Sequence, residues 1–372
     1  MKSASFPPYP LATFALAALL ALGACVSDDD GGGSPADGPL EVPENYFGFS
    51  GVDYAGQQSR LAQLGELKEY MKTTSPGAPL DSARLSAMYR NAPGAGFTRS
   101  YEKQLADKTF APHRDRYEDY FGRIARLSQL DQPAAPGVAG YGAALNDKVY
   151  LLAANGVEYL QAIEKGLMGA TLYYQATSVY LGADRMSADN TDAGADFATD
   201  REHHWDEAFG YLGVPRDFPS NTDGVVFWGD YCNDRDADLA TNAALMDGLL
   251  LGRAAIGADD AATLERAIAA VRTNWERVVV GTAIHYLNQA LDHADDPPRR
   301  MHDLTEAVAF AKAIVYNEAA RMNPGEVDAL VADLAGSDAY AAMDLYAVTD
   351  AEIVAARDVL AARFELPNSE AL

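Results

Sequence analysis

Several ingredients are scarce or missing in this chain of 372 residues. It holds two cysteines and six histidines. Basic residues number 29 against 54 acidic ones, a formal charge of −25. A surface that acidic repels nucleic acid phosphates and anionic headgroups, so no nucleic acid partner is expected; it raises the local concentration of cations instead. The longest apolar run, Leu11–Ala24, falls short of the roughly 20 residues a membrane-spanning helix needs. Runs of valine and isoleucine are rare and no stretch alternates cleanly, so no strand is expected. The sequence contains no His-Glu-x-x-His, which removes a zincin site, and no paired Glu-x-x-His motifs of a di-iron bundle. Asp234-x-Asp236-x-Asp238 starts like a calcium loop. Leu239 and Leu245 stand where that loop needs glycine and a bidentate glutamate, so it reads as a solvated N-terminal helix turn.

The N-terminus is an address. Lys2 is the only charge before Cys25, and Leu11–Ala24 has the character of a secretory h-region. Leu22-Gly23-Ala24-Cys25 resembles a bacterial lipobox, which implies cleavage before Cys25 and a lipid on its thiol. The expectation is a signal peptide over 1–24 and a lipid-anchored envelope protein whose partner is the membrane. An ordinary signal peptide cut near Ala24 is the alternative. With Cys25 modified, Cys232 stands alone and packing must supply the stability. The Gly, Ser, Pro and Asp that follow can bury little, so 25–45 reads as a flexible tether. Asp28–Asp30 do not match the single Asp directly after the cysteine that retains lipoproteins at the inner membrane. An outer-membrane anchor, facing the periplasm or outward, is favoured.

Apolar residues recur at three- and four-residue spacing almost throughout the remainder, which predicts an all-α fold. Helices are expected near 57–73, 81–91, 113–130, 145–181, 201–212, 239–256, 261–293, 302–316, 326–334 and 350–364, with Asp81 and Asp350 as N-caps. Helix 261–293 would span about 48 Å. Long helices joined by short turns predict two antiparallel bundles, an N-terminal one over 46–183 and a C-terminal one over 184–372. Two polar or irregular stretches, 182–199 and 214–235, bracket the short helix and are expected as long loops.

That short helix carries the densest chemistry, Asp200–Gly213, DREHHWDEAFGYLG. On a helical wheel Trp205, Ala208, Phe209 and Leu212 form the apolar stripe. His204 and Tyr211 flank it, with Glu207 just beyond. Glu202 and Asp206 take the other flank, and His203 points away from the stripe. His204 and Glu207, one turn apart, supply either two metal ligands or a structural hydrogen-bonded pair. A metal site needs at least one further ligand, for which Glu164 and His285 on facing helices are candidates, with Glu202 and His203 as an auxiliary pair. Trp228 and Tyr231 read as an aromatic plug in a ligand loop beside the site. Cys232 reads as a small buried hydrophobe. His113, His293 and His302 suit caps or surface positions.

Four stretches together resemble a bacterial lipoprotein family catalogued as domain of unknown function 4856: VDYAGQQSRLAQLGELKEYM at Val52–Met71, GVEYLQAIEKGLMG at Gly156–Gly169, EHHWDEAFG at Glu202–Gly210 and FWGDYCNDRD at Phe227–Asp236. The site helix also resembles the Gly-x-His-x-x-Glu motif of imelysins, with His204 and Glu207 in place and Glu202 where the glycine falls. That second resemblance implies an imelysin-like fold of two helix bundles and a role in iron acquisition, binding iron, zinc or haem. An envelope transport partner is a separate expectation. Alternatives are a metallopeptidase using Glu207 as base, and a non-catalytic protein or glycan interaction module working through Phe218–Tyr231.

Overall fold

The three- and four-residue apolar spacing becomes twelve α-helices among the described residues, and the fold is all-α apart from one small hairpin. The structure, a computed structural model, describes residues 40–191, 198–366 and 368–372. The signal peptide, Cys25 and the chain through residue 39 lie outside the described residues. In order, the elements are α1 (Ala55–Lys72), α2 (Ser82–Arg90), α3 (Arg114–Leu127), β1 (Gly140–Ala143), β2 (Val149–Leu152), α4 (Tyr159–Leu167), α5 (Ala183–Met186), α6 (Asp200–Gly210), α7 (Trp228–Leu239), α8 (Thr241–Gly257), α9 (Ala261–Asp292), α10 (Pro297–Ala313), α11 (Pro324–Ala335) and α12 (Asp350–Phe364).

Caps mark many of the helix starts. Asp81 accepts a hydrogen bond from the Ala83 amide, as expected. For α12 the cap is Thr349 in a reciprocal box with Glu352, one residue before the expected Asp350. Helix α10 begins five residues earlier than His302, because Pro297 and Pro298 fit the first turn, where a missing N–H is harmless.

The long helix α9 is the central post. Helices α7, α8, α10 and α12 pack along it, and α10 carries α4 on its other side. Val271, Trp275, Val278, Val279, Ile284 and Leu287 of α9 are buried, each contributing roughly 1.5–3 kcal/mol on leaving water. Leu40 through Leu372 form one compact unit. The expected boundary at 183/184 falls inside it, since α6, beyond the boundary, packs on α1 and on residues 175–180 before it.

Three stretches differ from expectation. The helix expected to begin at Leu145 gives way to an antiparallel hairpin, Gly140 opposite Leu152 and Ala143 opposite Val149. Asn146 and Asp147 make its turn, with Asp147 in the left-handed region at φ 64°. Second, α4 continues as π-helix over Met168–Tyr173 and Gln175–Tyr180. Widening a helix displaces its carbonyls, and donors from outside take several of them. The Phe110 amide donates to Ala170 O, Trp228 Nε1 to Met168 O, and Arg272 to Thr177 O and Leu181 O. Third, the segment expected as irregular up to Arg235 is helical from Trp228. Helix α7 precedes α8, and the two meet at Ala240 in the left-handed region. Asp234, Asp236 and Asp238 therefore lie within α7 rather than opening a helix, and Asp236 accepts from the Asn242 amide at 2.7 Å.

Candidate functional site

Helix α6 forms where the wheel placed it. Thr199 caps it in a reciprocal box with Glu202, worth about 1 kcal/mol. Trp205, Ala208, Phe209 and Leu212 are fully buried. Gly210 lets the helix end sit on α1, since a Cβ there would lie 2.6 Å from that of Tyr54.

His204 and Glu207 do pair, His204 Nδ1 to Glu207 Oε2 at 3.2 Å, and His203 Nε2 stands 3.9 Å from the same oxygen. The other Glu207 oxygen accepts from Gln57 Nε2 at 2.8 Å and from the Tyr180 hydroxyl at 2.9 Å. Lys108 in turn donates to Tyr180 at 3.0 Å. Burial works to raise the Glu207 carboxyl. Hydrogen bonds from His204, Gln57 and Tyr180, with the nearby His203 ring, outweigh it and hold the group below the usual carboxylate range. His204 Nε2 lies 3.3 Å from an Arg185 guanidinium nitrogen. A guanidinium only donates and a carboxylate only accepts, so this geometry uses the tautomer protonated at Nδ1.

The further ligands expected for this pair are held elsewhere. Glu164 is buried between two ammonium groups, Lys68 Nζ at 2.9 Å and Lys165 Nζ at 3.2 Å, which hold its carboxyl down against burial. His285 faces Arg235 and the chain end at Leu372, and burial lowers its pKa. Glu202 is spent on the cap and on an ion pair with Arg253. Among the described residues no group of three or more His, Cys, Asp or Glu side chains is placed to hold a metal ion.

The wheel put Asp206 on a polar flank. The structure buries it completely, with Tyr46 donating at 2.8 Å and Arg253 at 3.1 Å. Burial outweighs both partners and lifts its pKa to about 7. His302 was expected at a surface or cap. It sits inside α10, 2.6 Å from Glu158 and 3.5 Å from Glu306. Trp228 is core rather than loop: it is fully buried against Tyr173 and Phe310. Cys232 is buried beside Thr241, and burial pushes its thiol up to about 12, which makes it inert.

A cavity of about 540 Å³ opens between α1, α4, the end of α6 and the segment 213–231. Two of the expected site residues, Glu164 and Tyr231, line it together with Lys68 and Lys165. Lys165 bridges Glu164 and Glu306, the latter at 3.6 Å. Leu61, Val214, Val225 and Phe227 add apolar lining. Phe227 has φ 53° and ψ −112°, a conformation natural to glycine and costing about 1–3 kcal/mol for a bulky residue. Its ring lies 5.8 Å from Lys68 Nζ. The signals that mark this pocket in the sequence are slight: Gly65 on α1, Gly213 and Gly224 in the loop, and a lysine beside Glu164.

No curated protein and no solved structure matches the chain significantly. A family model does match, over residues 45–364, and by that match the chain belongs to the family described as Domain of unknown function (DUF4856).

Proposed function

We propose that this protein is a non-catalytic binding protein of the cell envelope, held at the membrane through lipid on Cys25, with its ligand site in the pocket between α1, α4 and α7. The cavity itself carries the reading. It combines apolar lining, the ion pairs of Glu164, and a strained aromatic residue among its lining. Backbone strain of this kind concentrates at ligand sites, where the surrounding structure maintains it. Those ion pairs argue against chemistry there. Glu164 is held ionised by two lysines, and Lys165 is held protonated by Glu164 and Glu306 against its own burial. Neither exchanges a proton near neutral pH, as a catalytic acid or base must. Passing a captured ligand to an envelope transport partner is the role that an anchored receptor would serve.

Gly65 provides the test. It lines the pocket, lies in regular helix, and faces open space where a Cβ would stand. Gly65→Trp fills the cavity without a clash at the backbone. The neutral fluorophore N-phenylnaphthylamine should brighten on saturable binding to the wild type and not to Gly65→Trp, while both show the same helical circular dichroism. Equal binding by both proteins, or none by the wild type, sinks the pocket. The anchor is tested separately: Cys25→Ser should move the protein from the membrane to the soluble fraction of cells.

A second reading, metal binding of imelysin type at His204 and Glu207, draws on the approach of both histidine rings to one carboxylate oxygen. It requires a cation to displace the Arg185 and His204 contacts beside Lys108, where the local field is unfavourable. Metal analysis of the purified protein and of His204→Ala separates the two readings.

A further inference from the structure

We propose that a second cavity, between α3, the end of α10, the start of α11 and residues 338–341, binds a small uncharged molecule rich in hydroxyl groups, of monosaccharide size. This cavity shares no lining residue with the pocket beside α1 and does not depend on it. It encloses about 330 Å³, at the lower end of the range for small-molecule sites.

Unused hydrogen-bonding groups around one space carry the inference. Tyr340 lines the cavity and is only 5 % exposed, yet its hydroxyl has no hydrogen-bond partner among the described residues. Buried hydroxyls ordinarily find a partner, so this one is left for something that enters the cavity. The Tyr120 hydroxyl and the Arg116 guanidinium, also in the lining, have no partner among the described residues either. The two tyrosine rings meet edge to face at 5.7 Å. Burial raises both of their pKa values and the Arg116 charge opposes it, so the guanidinium is near both hydroxyls. Tyr316 and His113 close the back, joined at 2.6 Å.

The charges around the cavity select against an ion of either sign. Burial lowers the His113 pKa to about 4, and Arg116 and Lys312 push it the same way against Asp328. A ring kept neutral beside two cations marks a place where a cationic ligand is opposed. Asp119, Asp328 and Asp338 line the same space and oppose an anion. Asp119 is paired with Arg123 at 2.6 Å and Asp328 with Lys312 at 3.6 Å, which leaves one unpaired group of each sign, Arg116 and Asp338. A guanidinium only donates and a carboxylate only accepts, whereas a hydroxyl does both, so a neutral polyol satisfies the two together. Val315 and Val327 offer apolar contact to its carbon skeleton.

Saturation-transfer difference NMR tests this without a reporter inside the cavity. Of glucose, galactose and mannose, at least one should bind saturably at about millimolar concentration. Glucuronate, and glucosamine in mildly acidic buffer, have the same size but carry a charge and should bind more weakly. Tyr340→Phe removes only a hydroxyl that no protein group uses, and Arg116→Gln removes an unpaired charge, so both should fold as the wild type does. Each should weaken the hexose about fivefold, the loss of one hydrogen bond. Gly65→Trp, in the other pocket, should bind it like the wild type. Absence of saturable binding by all three hexoses overturns the inference. Wild-type affinity in both Tyr340→Phe and Arg116→Gln overturns it too, as does a charged sugar binding more tightly than the neutral ones. Hexose binding lost in Gly65→Trp would assign the sugar to the pocket beside α1 and equally sink the second site.

Discussion

Glu207 is the residue on which the rival readings part. Its two oxygens accept from Gln57, Tyr180 and His204. Truncation strands those donors in a half-buried site, so Glu207→Ala should lower unfolding free energy by about 2–4 kcal/mol in urea titration. If the carboxylate is structural, protein purified without added metal carries no stoichiometric iron or zinc by mass spectrometry, and His204→Ala leaves that unchanged. Stoichiometric metal that disappears in His204→Ala would restore the metal site. The wheel identified the inward pair correctly because His204 and Glu207 lie one turn apart on an amphipathic helix. It did not anticipate Gln57, Tyr180 and Arg185, which come from other elements and share no spacing with α6. Asp206 escaped for the same reason: its burial depends on Arg253, 47 residues away.

At the level of elements, α4 and α10 are joined by charge in a dry interface. Lys165 meets Glu306, and His302 meets Glu158 and Glu306. Burial alone would lower the His302 pKa, but Glu158, Glu306 and Asp303 outweigh it and raise it to about 9. A histidine raised on folding stabilises fully below its unfolded value of about 6.5, and that stabilisation fades as pH rises through about 9. The loss between those limits is about 3 kcal/mol. Urea unfolding at a series of pH values should show the wild type losing stability over this window and His302→Gln losing much less. Identical slopes would mean that the ion pair is not formed. Helix existence was readable here from spacing alone. The hairpin was not, because each strand is only four residues long, too short for its alternation to stand out, although Asn146-Asp147 and Asn155-Gly156 both break a helix. The π-helical turns had no readable signal, since what permits them is donation from Phe110, Trp228 and Arg272.

For the whole molecule, a boundary at 183/184 would predict two unfolding events. The contacts of α6 with α1 and of α9 with four other helices predict one. Calorimetry should give a single transition in which van't Hoff and calorimetric enthalpies agree, and two resolved transitions would show that halves melt separately. The central position of α9 also has a consequence for manufacture. Helices α1 to α8 all precede α9 in the chain, so a ribosome makes them before their central post exists. Until then the apolar faces of α7 and α8 have no post to close upon, and the growing chain presents them to whatever is nearby. Slowing translation just before α9 should therefore lengthen the exposure of those faces and raise the fraction of chains that aggregate.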